Sequence, residues 1–219
     1  MTRRALPDTA NVAHASDGAK LNAPAAERNL APLCDLLSQF APKTGAALEI
    51  ASGTGQHVVA FAKRLPGLDW QPSEPDAARR ASIDAYAAES QLDNLAPAFE
   101  LDAAAPGWGA RHAGQALIVV INLLHLISMT ETETLIGEAA RALTPSGRFV
   151  IYGPFQRGGE LTSDGDARFH ASLIAQDPEI GYKDDFDILD LALAAGLTVV
   201  DVIEMPANNL ALVLEKPAI

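Results

Sequence analysis

A single cysteine, Cys34, leaves this 219-residue chain unable to form an internal disulfide, so nothing in it requires an oxidising compartment and the cytoplasm is the expected location. Basic residues are scarce. Sixteen Lys and Arg stand against 28 Asp and Glu, a formal charge of -12, which repels phosphate backbones and anionic membrane surfaces. Nucleic acid and membrane are therefore not the expected partners. No apolar run approaches bilayer length, and Met1-Thr2-Arg3-Arg4 leads into a polar segment rather than the apolar core of a signal peptide. The histidines, at 14, 57, 112, 125 and 170, show no paired ligand spacing, and without a second cysteine no metal site is expected. Ser52 lies in Ala51-Ser52-Gly53, outside the G-x-S-x-G frame of a hydrolase nucleophile. Internal repeats, low-complexity tracts and dividing linkers are absent too.

What is present fits one compact domain over 1–219, with 48% hydrophobic and 20% charged residues. Residues 1–23 lack periodicity and read as a loose arm or lid. Leu30, Leu33, Cys34, Leu37 and Phe40 then recur at helical spacing until Pro42. From there strand and helix alternate: Ala46 to Ala51 is a strand, Gln56 to Leu65 a helix, Leu68 to Pro72 a strand, Asp76 to Ala88 a helix, Ala98 to Leu101 a third strand and Leu117 to Asn122 a fourth. Thr130 with Glu133 fits a capping box opening a helix to Leu143, and Phe149 to Tyr152 follows the Pro145-Ser146-Gly147 turn as a fifth strand. Residues 153–183 break the rhythm and read as an insertion over the carboxyl edge of the sheet. A helix from Asp184 to Ala195 leads to two closing strands, Leu197 to Met205 and Leu210 to Glu215, joined as an antiparallel pair by Pro206-Ala207-Asn208-Asn209. The fold class is α/β, a doubly wound Rossmann-like sheet, mostly parallel with an antiparallel last strand.

Chemistry concentrates in Glu49-Ile50-Ala51-Ser52-Gly53-Thr54-Gly55-Gln56-His57, where a buried strand runs through a turn of small side chains into a helix. A dinucleotide fingerprint laid on Gly53 and Gly55 puts its third small position on Val58, and a pyrophosphate binder has no use for Glu49; a Tyr-x-x-x-Lys pair is also missing. An acid at that strand end suits a cationic ligand, and S-adenosylmethionine carries both an ammonium and a sulfonium. Gly53 and Gly55 alone could equally serve a tight turn. Glu74, about 25 residues after Glu49 and just past the second strand, stands where such folds grip two ribose hydroxyls, although an acid there also suits a helix N-terminus. Asp102 ends the third strand, where its side chain or neighbouring amides could meet an adenine amino group. Asn122 and His125 lie beyond the fourth strand at the same edge. His125 is either a general base with a pKa near working pH or a hydrogen-bonded core histidine.

Several of these strings, with Ala25-Ala26-Glu27-Arg28-Asn29, Trp70-Gln71-Pro72-Ser73, Tyr152-Gly153-Pro154-Phe155, Asp177-Pro178 and Pro206-Ala207-Asn208-Asn209, resemble the methyltransferase-like protein 26 family, a domain of unknown function. The resemblance runs from about Pro24 to Lys216. It implies the seven-stranded class I methyltransferase fold and S-adenosylmethionine as cofactor, with no known substrate. Carried over, Glu49, Ala51, Gly53 and Gly55 form the cofactor loop, Glu74 is the ribose acid and Asp102 the adenine-side residue. Arg28 and Asn29 close over the site. Ser146, Asp164-Gly165-Asp166 and His170 depart from the family pattern, the last two within the insertion that bears on substrate.

The sequence thus predicts an S-adenosylmethionine-dependent methyltransferase, leaving S-adenosylhomocysteine, acting on an N, O or S atom of a small molecule. Alignment of the reactants and exclusion of water can supply much of the acceleration such a transfer needs, and a base is needed only if the acceptor carries a proton that must leave. The expected catalytic group is His125, Asn122 and Tyr152, Asn122 also touching cofactor, and the expected substrate contacts are Phe155, Asn208 and Asn209. The rival reading is a non-catalytic cofactor-binding or regulatory protein. Oligomeric state is not legible.

Overall fold

The structure, a computed structural model, describes residues 12–218. Residues 1–11 of the expected arm lie outside it. Residues 14–22 make a small hairpin, β1 (His14–Ala15) with β2 (Leu21–Asn22). Two hydrogen bonds fasten it to the body, Leu21 N–H donating to Ser82 Oγ at 2.8 Å and Tyr86 O–H to Leu21 O at 3.2 Å, and just after it Ala23 N–H donates to Gln56 Oε1 at 2.7 Å. Lys20 also pairs with Glu89.

The body then alternates as α1 (Pro24–Phe40), β3 (Gly45–Ile50), α2 (Gln56–Arg64), β4 (Leu68–Pro72), α3 (Ala77–Ser90), α4 (Trp108–Arg111), β5 (Gln115–Ile121), the 3-10 turn Leu124–Leu126, α5 (Met129–Ala142), β6 (Leu143–Gln156), α6 (Asp164–Gln176), β7 (Lys183–Asp184), α7 (Asp185–Ala194), β8 (Thr198–Met205) and β9 (Asn209–Glu215). The sheet order is β4-β3-β5-β6-β9-β8, with β7 against the far end of β6; β9 runs antiparallel to both neighbours and the other pairings are parallel. Both faces are covered, which is why β5 is apolar from Ala116 to Ile121. Its Ile118 and Val120 join α5 and α7 residues such as Leu135 and Ile188, while Leu117 and Val119 join Leu33 and Leu37 of α1 and Phe61 of α2. The chain winds outward from β3 to β4, then returns to β5 on the other side of β3. The crevice of this open sheet therefore lies at the carboxyl ends of β3 and β5.

Four boundaries differ from expectation. The expected third strand is reduced to isolated bridges, Trp70 to Leu95 and Ser73 to Phe99, because Pro97 brings no N–H to the ladder. The α5 capping box is Ser128 with Glu131: the Ser128 hydroxyl accepts the Glu131 amide and the Glu131 carboxylate accepts the Ser128 amide. The turn at Pro145 to Gly147 is a bulge inside β6, where pairing with β5 jumps from Leu143 to Arg148 and Ser146 takes φ +61°. The segment 153–183 begins as strand and carries the 13-residue α6, which rests on a separate cluster of Leu126, Leu173, Ile180 and Tyr182. Among the described residues no helix is long and apolar enough to cross a membrane.

Candidate active site

The carboxyl ends of β3 and β5 open into a cavity of about 880 Å³. Both strands stop in the same way, with a non-glycine residue in the left-handed region, Ala51 (φ +53°) after β3 and Asn122 (φ +55°) after β5. That conformation costs an L-residue about 1–2 kcal/mol. Here the sheet holds it: Ser52 N–H donates to Ser73 O and Asn122 N–H to Tyr152 O. Gly53 follows at φ +59° and Gly55 at φ +94°. A Cβ on Gly55 would sit 2.7 Å from Ile83 Cα, so this glycine lets α2 and α3 approach and does not itself border the cavity.

Glu49 forms part of the floor and is 1% exposed. Its Oε2 has no hydrogen-bond partner. Burial pushes its pKa up to about 8, opposed by a Ser52 hydrogen bond and reinforced by the charge of Glu74. Glu74 is buried beside it but well partnered, accepting the Gly53 amide at 3.0 Å and the Asp76 amide at 3.1 Å. Burial raises its pKa against those two bonds. Asp102 is exposed at the margin, its carboxylate folded back on the Ala104 amide at 3.0 Å. Arg28 and Asn29 of α1 border the cavity from above β3, and Val12 and Ala13 of the hairpin segment join them.

On the β5 and β6 side the lining changes character. His125, Phe169 and Tyr182 meet edge to face, with centroids 5.8, 6.3 and 6.0 Å apart, and Leu126, Ile127 and Pro154 complete the wall. Tyr182 O–H donates to Asp166 Oδ1 at 3.1 Å, and Thr162, Ser163 and Asn208 donate to the other oxygen. Burial alone would raise Asp166, yet these four bonds hold it below the usual carboxylate range.

The cavity thus gathers Arg28, Asn29, Glu49, Ala51, Gly53, Glu74, Asp102, Asn122, His125 and Asn209. Besides Gly55, three expected contacts need correction. Tyr152 points into the opposite face of the sheet, among Leu33, Val119 and Val213, because β6 alternates there; its buried hydroxyl has no partner, and burial pushes its pKa up to about 12. Phe155 is consumed by the core with Ile188 and Leu210. Asn208 serves Asp166 rather than the cavity, since it stands with Ala207 at positive φ in the three-residue turn Pro206-Ala207-Asn208 that joins β8 to β9. His125 does border the site, but burial and the charge of Lys183 bring its pKa down to about 3, far from the working range expected of a base. Phe169, Tyr182 and Arg79 also border the cavity without having been singled out, and so does His57. His57 lay within the Gly55-Gln56-His57 string; its Nε2 is buried and unpartnered, and burial brings its pKa down to about 4. Tyr152→Phe is expected to be neutral or stabilising by up to about 1 kcal/mol, since it deletes an orphaned hydroxyl, and to leave ligand affinity unchanged; urea unfolding and calorimetry check it.

The sequence matches, over residues 20–216, the family described as a protein of unknown function, DUF938. The chain belongs to that family. Its fold is that of S-adenosylmethionine-dependent methyltransferases. An O-methyltransferase family protein from Burkholderia thailandensis superposes with a TM-score of 0.77 at 18% identity, covering 89% of this chain and 58% of that one. An O-methyltransferase family 2 protein from Planctomyces limnophilus, solved with apigenin, gives 0.74 at 20% identity, over 87% and 59%. Human N-acetylserotonin methyltransferase in complex with S-adenosylmethionine gives 0.72 at 13%, over 89% and 53%. The DUF938 chain spans little more than half the length of these structures.

Proposed function

We propose that this DUF938 chain binds S-adenosylmethionine and transfers its methyl group to an N, O or S atom of a small molecule, in line with the resemblance to the methyltransferase-like protein 26 family. The observation that carries the reading is Glu49: a fully buried carboxylate with an orphaned oxygen is costly to keep, and a ligand ammonium answers it. The cavity residues fit the rest of the cofactor. The small-residue turn at 51–53 admits close approach to backbone, Glu74 retains acceptor capacity for ribose hydroxyls beyond its two amide bonds, and the Arg28 guanidinium suits a carboxylate. When bound, the cofactor supplies an electrophilic methyl group. The protein then needs to align the acceptor and exclude water, which the aromatic and aliphatic wall does.

Thermal shift tests the reading. S-adenosylhomocysteine at a hundred times its Kd stabilises the folded state by about 2.7 kcal/mol, a rise of several degrees, while NAD, whose phosphates would meet Glu49 and Glu74, gives none. Stabilisation by NAD alone overturns it.

A further inference from the structure

We propose, on the methyl-transfer reading above, that the site takes a planar aromatic acceptor that arrives already deprotonated, seated against the mutually edge-on rings of His125, Phe169 and Tyr182 and unaided by any base of the protein. The first part rests on shape. Three rings at centroid distances of 5.8 to 6.3 Å, with Leu126, Ile127 and Pro154 beside them, form a wall suited to stacking and edge-to-face contact with another ring. α6 backs that wall, with Phe169 in the lining and Leu173 packed behind it against Leu126, Ile180 and Tyr182.

The second part rests on where the charges stand. The carboxylates of Glu49, Glu74 and Asp102 lie at the ends of β3 and β4 and the turn beyond, whereas the rings hang beyond β5 and β6. His125 is faced from β7 by Lys183, whose buried Nζ donates to Ile127 O at 2.7 Å and Gly181 O at 3.0 Å. From α6 and the turn after it come Phe169, His170, Asp166 and Tyr182. His170 Nδ1 accepts the Tyr182 amide at 3.0 Å, and the Tyr182 hydroxyl is held by Asp166. From α5 comes Glu131, whose carboxylate caps its own helix. A proton taken up by His125 would create a buried imidazolium next to a buried ammonium, and the low pKa of His125 expresses that cost. Asn122 offers an amide that does not titrate, while the Asn209 amide is committed to Pro206 O and Ala207 O of its own turn.

A phenolate or thiolate meets these conditions. Its proton is in solvent before binding; its lone pair forms the new bond to the methyl carbon as the bond from carbon to the sulfonium sulfur breaks, and that electron pair stays on sulfur. The products are a neutral ether or thioether and S-adenosylhomocysteine.

The test starts with S-adenosylhomocysteine binding to the full chain by calorimetry; failure there sinks the methyltransferase reading and is seen separately. To the saturated protein 4-nitrophenolate is added and followed by absorbance, beside cyclohexanecarboxylate as a saturated anion. Saturable binding of the aromatic alone is expected, weakened at least tenfold in Phe169→Ala with unchanged S-adenosylhomocysteine affinity. With S-adenosylmethionine, the pH midpoints of transfer to 4-nitrophenol and 4-chlorophenol should separate, each tracking the phenol's own ionisation, and should persist in His125→Asn. Equal binding of the saturated anion, no binding of 4-nitrophenolate, binding without transfer to either phenol, or one shared midpoint that vanishes in His125→Asn overturns the proposal.

Discussion

Glu49→Gln is expected to make the free protein more stable at pH 7 while weakening S-adenosylhomocysteine at least a hundredfold. The carboxyl has a folded pKa of about 8 against an ordinary 4.5, so folding favours its neutral form. The stability it contributes is fully present below pH 4.5 and is lost as pH rises toward 8; at pH 7 the loss is on the order of 3 kcal/mol. Glutamine keeps the shape, cannot ionise and escapes that loss. Binding has the opposite demand, because an ammonium needs the carboxylate. Wild-type affinity should therefore rise about tenfold per pH unit up to about pH 8 and then level off, each binding event below that pH releasing a proton. The variant should show no such slope. Calorimetry at pH 6, 7 and 8 with urea unfolding reads both effects, and unchanged affinity in the variant would show that no cation meets Glu49.

Glu74→Ala should harm both properties together. The carboxylate accepts the Gly53 amide and the Asp76 amide inside the protein, so its removal orphans one donor in the turn and one at the N-terminus of α3. A stability loss of about 2 kcal/mol is expected, smaller than two full orphaning penalties because desolvation of the carboxylate is relieved at the same time. Losing the acceptor of two ribose hydroxyls, together with the shape of the turn, should cost another 1–3 kcal/mol in S-adenosylhomocysteine binding, about ten- to a hundredfold. Weakened binding without destabilisation would assign Glu74 to ligand alone. Destabilisation with intact affinity would make it a structural residue.

The cofactor side of this site was legible because its signals are local. Glu49, Gly53 and Glu74 sit at fixed offsets from a strand end, and alternating strand and helix places those ends together. The acceptor side was not, for reasons that differ by residue. Tyr152 and Phe155 stand in a strand with apolar neighbours on both faces, so the period-2 pattern gives no sign of which face meets the cavity. Phe169 and Tyr182 lie in and just after α6, whose polar first turn, Asp164-Gly165-Asp166, reads as loop. The role of Asn208 depends on Asp166, 42 residues earlier, a contact with no sequence signal. Sequence also reveals His125 as a histidine at the right edge but not the buried lysine next to it, and that neighbour decides its protonation.

The hairpin at residues 14–22 bears on time rather than on affinity. It is bonded to α3 through Ser82 and Tyr86, the stretch just after it is bonded to α2 through Gln56, and the residues on either side of it border the cavity. A ligand that reaches Glu49 under this strap is expected to exchange only when those bonds open together. Association should then be slower than free collision, dissociation slower still, and turnover set by how often the strap lifts. Cutting Tyr86 back to Phe, which removes only the bond to Leu21 O, should shorten the residence time of S-adenosylhomocysteine in stopped-flow exchange while the contacts on the cavity floor stay the same.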